Sequence, residues 1–88
     1  MHTKQEIAAG VRQAITDQVG YTHSEITDEK CLETDLWLDT LDKVELVMNV
    51  EENFEICITE DEANEVRTVG DLIVVATRKL EEKGQVAE

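Results

Sequence analysis

The tetrapeptide Asp39-Thr40-Leu41-Asp42 sets a hydroxyl between two carboxylates. Asp39 suits a helix N-cap, since its carboxylate can accept a hydrogen bond from the free backbone N–H of Asp42, whose own carboxylate also favours a helix start. A hydroxyl at the first position of the helix that follows serves local structure in most proteins. An exposed one is also an oxygen nucleophile, held where an incoming phosphate meets unsatisfied N–H groups.

Other chemistries find less support. An EF-hand loop beginning at Asp35 would put Trp37 at an oxygen-ligand position and Thr40 where the sharp turn needs glycine, so calcium is not expected. His2 and His23 stand in no metal or catalytic constellation, and both are expected to face solvent. Cys31 and Cys57 form neither a Cys-x-x-Cys pair nor a Cys/His pattern, which predicts reduced thiols and a cytoplasmic setting. No nucleophile and base pair or cofactor cradle is apparent, so an enzyme acting by itself is not expected.

The elements that must position Thr40 follow from apolar spacing. In this chain of 88 residues, one domain over 1–88 is expected, with apolar residues making up 41%. Ile7, Val11, Ala14, Ile15 and Val19 share a stripe, predicting a first helix over 4–19 that stops at Gly20. Residues 21–38 lack sustained periodicity and read as a long connection, with Ile26, Leu32, Leu36 and Leu38 available to fasten it over the core. A second helix is expected from Thr40 through Phe54. Its apolar residues occupy more than one face: Leu46, Val47, Val50 and Phe54 can form the core side, whereas Leu41, Val44 and Met48 form a separate row beside Thr40. For Met48 alone, burial is an equal reading. Thr59 and Glu62 make a capping box for a short third helix, and Thr68 and Asp71 a similar start for a fourth. The fourth carries Val69, Leu72, Ile73, Ala76 and Leu80 to about Lys83, ahead of Gly84 and a frayed polar tail over 84–88. The expected fold is all-α, a small four-helix bundle with a long first loop and a short third helix.

Charge narrows the partners. Twenty-one Asp and Glu against eight Lys and Arg leave a net charge of −13, which repels nucleic-acid phosphates and anionic membrane surfaces. Residues 1–20 are interrupted by polar side chains, so neither a signal peptide nor a membrane span is expected. Between Glu33 and Glu65 stand twelve acids and a single base, Lys43. That concentration is either a solvated face or a docking face for basic proteins, with Asp39, Asp42, Glu45, Glu51 and Glu52 as its candidate acids. Leu41, Val44 and Met48 are the candidate apolar contacts, and a methionine suits a surface that meets several partners.

The segment Asp35-Leu36-Trp37-Leu38-Asp39-Thr40-Leu41-Asp42-Lys43-Val44-Glu45-Leu46-Val47-Met48 resembles the acyl carrier protein motif. Ser24-Glu25-Ile26-Thr27, Glu51-Glu52-Asn53-Phe54 and Thr68-Val69-Gly70-Asp71-Leu72 fit the wider pattern, so the resemblance covers about residues 4–80. It implies a monomeric, non-catalytic carrier of fatty-acid, lipid or related biosynthesis, with 4′-phosphopantetheine on Thr40 and an acyl group as a thioester on its terminal thiol. It also implies loading by a Mg²⁺-dependent phosphopantetheinyl transferase, with Asp39 available to position that enzyme's metal, and docking on basic faces of acyl-processing enzymes. Three residues depart from the family pattern. Thr40 replaces the usual Ser and adds a methyl beside the oxygen. Trp37 stands where Gly is common, to shield an arm, meet a partner or pack the loop, and Thr59 stands where Pro is often found. The first departure leaves a second reading open: a carrier-like interaction module that is never loaded.

Overall fold

Side chains that can accept a hydrogen bond, each three residues ahead of an acid, set the helix starts. In the computed structural model, which describes residues 1–87, Thr3 precedes α1 (Lys4–Val19), Asp39 precedes α2 (Thr40–Phe54), Thr59 precedes α3 (Glu60–Glu65) and Thr68 precedes α4 (Val69–Glu82). Their capping-box partners are Glu6, Asp42, Glu62 and Asp71, so two orphan N–H groups are satisfied at every start. The ends differ. Gly20 closes α1 at φ 85°, a left-handed conformation that glycine adopts without a Cβ penalty. Glu55 closes α2 at φ 54°, and its carbonyl accepts a hydrogen bond from Lys83 Nζ.

One core joins α1, α2 and α4. Ile7, Val11, Ala14 and Ile15 meet Leu46, Val50 and Phe54 from α2 and Val69, Leu72, Val75, Ala76 and Leu80 from α4. At Gly10 the first two helices approach so closely that a Cβ would collide with the ring Cζ of Phe54. The expected α4 stripe needs one correction: Val75 is buried and Ile73 only half-buried. Val75 lies between Leu72 and Ala76 on the inner face, whereas Ile73 sits at its edge and Val74 faces outward. Val19 is likewise half-buried at the end of its helix.

The long connection is fastened as its apolar residues suggest. Ile26, Leu32, Leu36 and Leu38 are all buried, around a short 3-10 turn at His23–Glu25. Backbone bonds tie it to the start of α4: Leu32 N–H to Arg67 O at 2.9 Å, Val69 N–H to Lys30 O at 3.0 Å and Gly70 N–H to Asp28 O at 2.9 Å. Arg12 Nε donates to Ile26 O at 2.9 Å from the α1 side. A loop with so many backbone partners is part of the fold.

The chain ends overturn two expectations. In place of a frayed tail, β2 (Val86–Ala87) pairs in parallel with β1 (His2–Thr3). Glu88, the last residue of that tail, lies outside the described residues. His2 does not simply face solvent, because its ring packs edge-on against Phe54 with centroids 5.2 Å apart. The apolar ring of Phe54 and the free backbone groups of the two ends account for the change.

Candidate attachment and docking site

Thr40 is exposed at the first position of α2. Ahead of it, Asp39 holds an extended backbone and its Oδ1 accepts the Asp42 N–H at 2.8 Å, while Asp42 Oδ2 accepts the Asp39 N–H at 3.2 Å. The N–H groups of Thr40 and Leu41 have no partner among the described residues, so the helix start keeps positive character around the hydroxyl. Gln18 Nε2 donates to Asp42 O at 2.7 Å and pins this first turn to the end of α1.

The approach to Thr40 is equally determined. Asp35 Oδ2 accepts the Cys31 N–H at 2.7 Å, the N–H groups of Asp35 and Leu36 return to Cys31 O, and Leu38 N–H reaches Leu32 O at 2.9 Å. Hydrogen bonds from Thr34, through its hydroxyl first and then its backbone, lower the pKa of the Cys31 thiol. Leu36 and Leu38 are buried, which leaves Trp37 between them with φ 61° and 78% exposed. The indole therefore does not pack the loop. A bulky residue in the left-handed region costs about 1–2 kcal/mol, which explains why glycine suits this position.

Below Thr40 an open groove of about 520 Å³ runs between α2 and α3. Val44, Val47, Met48, Ile58 and Ala63 supply its apolar wall, and Lys43, Glu51 and Asn64 are among its polar residues. Leu41, Val44 and Met48 are at least half exposed, at 65%, 50% and 52%, so Met48 belongs to the outward row and not to the core. Leu46, Val50 and Phe54 take the inner face as expected, with Val47 half-buried against them.

The candidate acids divide into two groups. Asp39, Glu45 and Glu52 are exposed, while Asp42 and Glu51 are half-buried. Glu51 Oε2 accepts the Ile58 N–H at 2.9 Å, so its charge helps to hold the segment before α3. Contacts of two lysines beside the groove and α3 went unread in the sequence. Lys43 Nζ reaches Glu33 Oε1 at 3.2 Å and Val66 O at 3.1 Å, and Lys79 Nζ reaches Glu62 Oε1 at 2.8 Å. That Lys43 is the lone base in an acidic segment was the available signal; for the Lys79–Glu62 pair there was none, because Glu62 lies on another helix.

A small acidic bundle of four helices, with a displayed hydroxyl at the head of α2 and a groove beneath it, has the architecture of a carrier domain. The chain belongs to the acyl carrier protein family. It is 44% identical over 71 residues to the acyl carrier protein of Exiguobacterium sibiricum, a match that covers 81% of this chain and 90% of the relative. It is 39% identical over 75 residues to the acyl carrier protein of Porphyromonas gingivalis, covering 85% and 96% of the two chains. With the meromycolate extension acyl carrier protein of Mycobacterium leprae it shares 35% over 86 residues, 98% of this chain and 75% of that one. No family model matches the chain. Among the described residues, no helix is long and apolar enough to cross a membrane.

Proposed function

We propose that this protein is an acyl carrier that receives a 4′-phosphopantetheine arm on Thr40 Oγ1 and presents acyl groups to enzymes of fatty-acid, lipid or related biosynthesis. The observation that carries the reading is the exposed Thr40 hydroxyl, at a capped helix start and at the edge of an apolar groove. The site suits the group: the hydroxyl makes no hydrogen bond within the described residues, and the unpaired N–H groups beside it favour a phosphate. When bound, the arm supplies a terminal thiol that holds cargo as a thioester.

In loading, Thr40 Oγ1 forms a bond to phosphorus as the pyrophosphate bond of coenzyme A breaks, releasing adenosine 3′,5′-bisphosphate. The hydroxyl proton passes to the Mg²⁺-dependent transferase. Asp39 spends Oδ1 on the cap and keeps Oδ2 for the transferase's metal. The exposed row of Leu41, Val44 and Met48, flanked by Asp39, Asp42, Glu45 and Glu52, meets basic faces of acyl-processing enzymes, and acyl cargo shelters along Val44, Val47 and Ile58. The competing reading, an interaction module that is never loaded, rests on the extra methyl that Thr40 sets beside its oxygen.

Intact mass after incubation with coenzyme A, Mg²⁺ and several phosphopantetheinyl transferases decides between them. One added arm on the parent chain, absent in Thr40→Ala, supports the carrier. Ready loading of Thr40→Ser with none on the parent favours the interaction module. For docking, capture of partner enzymes is expected to weaken with salt and in Glu45→Lys and Glu52→Lys. Glu51→Lys is a poorer probe, because it also breaks the bond to Ile58 N–H.

A further inference from the structure

The single base in the acidic stretch from Glu33 to Glu65 is not a surface charge. The Lys43 side chain is only 19% exposed and lines the groove that Thr40 borders. Lys43 follows Thr40 by three positions on α2, so the two share one helix face. An ammonium has three N–H donors. One goes to Glu33 Oε1 and one to Val66 O, and the third has no partner among the described residues.

Apart from the free N–H groups of the helix start, the groups around this point are acidic side chains. Asp39, Asp42 and Glu33 all repel an anion attached at Thr40, and a phosphodiester keeps its charge at any ordinary pH. Among the described residues that line the groove, Lys43 is the one cation able to offset that repulsion, and it stands on the groove side of Thr40. Glu33, at 64% exposure, holds the ammonium by one hydrogen bond that an anion can displace.

Resting on the carrier reading, we propose that Lys43 is a positioning residue for the arm. Its ammonium pairs with the phosphate on Thr40 in exchange for Glu33, and so directs the arm into the groove between α2 and α3. Glu33 is then the resting partner of Lys43. A purely structural lysine, serving only to tie Glu33 to Val66, would give the opposite response when Glu33 is neutralised.

The test uses the full chain loaded at residue 40, as the parent or as Thr40→Ser, and reads the ³¹P resonance of the phosphodiester at low and high salt. The resonance in the loaded protein is expected to be displaced at low salt and to return with salt. Lys43→Gln is expected to abolish that displacement, Lys43→Arg to keep it, and Glu33→Gln to keep or enlarge it. An unchanged resonance in Lys43→Gln overturns the proposal, as does a loss in Glu33→Gln equal to that in Lys43→Gln. Circular dichroism checks the fold; should Lys43→Gln unfold, a displacement kept in both Lys43→Arg and Glu33→Gln supports the proposal, and its loss in either overturns it. If neither the parent nor Thr40→Ser gains the mass of the arm, the carrier reading itself falls and this proposal with it. Loading without a Lys43 effect removes the proposal alone.

Discussion

α4 and α3 are held by different physics, although both begin at a threonine capping box. Five side chains of α4 are buried in the common core, whereas α3 buries none. What holds α3 is its Thr59 cap, the half-buried Ala63 and the ion pair from Glu62 to Lys79 on α4. Apolar burial resists displacement over a whole helix face, while a cap and one partly exposed ion pair can give way locally. The groove beside Thr40 thus has one wall, α2, built into the core and another, α3, laid against it. A carrier that must admit and release cargo gains from that asymmetry.

The sharpest way to break the comparison is to empty the core side. Leu72→Ala, at a fully buried position of α4, is expected to cost about 2–5 kcal/mol in denaturant unfolding. The exposed Asn64→Ala on α3 should stay within about 0.5 kcal/mol. Equal losses would show that α3 is as firmly built in as α4.

Next in size is the α2 wall at its head. Asp39→Ala removes the bond to Asp42 N–H and is expected to cost about 1 kcal/mol, read by thermal unfolding. Trp37→Gly should act the other way, relieving left-handed strain at an exposed side chain for a net gain of up to about 1 kcal/mol once the freer unfolded chain is counted. A loss of more than about 1 kcal/mol would mean that the indole packs against something after all.

The smallest effect is local to α3. The ammonium of Lys79, and next the Thr59 N–H, hold the Glu62 carboxyl down at about 2 from its usual 4.5. Its folded value lies below the unfolded one, so the contribution is complete above pH 4.5 and is lost as pH falls toward 2. Amide resonances of α3 are expected to move within that window, and Lys79→Met should shift the change upward toward pH 4.5. Identical titrations in parent and variant would remove Lys79 from the account.

Much of this was legible along the chain. Helix starts are local events, set by a capping side chain and an acid three residues on, so α2, α3 and α4 begin where Asp39, Thr59 and Thr68 indicate. The separation of Leu41, Val44 and Met48 from Leu46, Val50 and Phe54 follows from helical period, and the exposures agree with it. The position of Thr40 was legible for the same reason.

Tertiary structure decided what depends on contacts between distant residues. Periodicity placed Ile73 on the inner face of α4, but the helices packed against it bury Val75 instead. The ends of the chain read as loose, yet His2 packs on Phe54 and Val86 pairs beside it, because only the folded chain brings those groups together. The acids Asp39, Asp42, Glu45, Glu51 and Glu52 looked equivalent in sequence. Folding gave Glu51 to Ile58 N–H and drew Lys43 inward to Glu33 and Val66, because a charge finds its partner through space. The hydroxyl at the head of α2 was written in the local sequence; the groove beside it, and the cation Lys43 that lines it, come together only once α2 and α3 face each other.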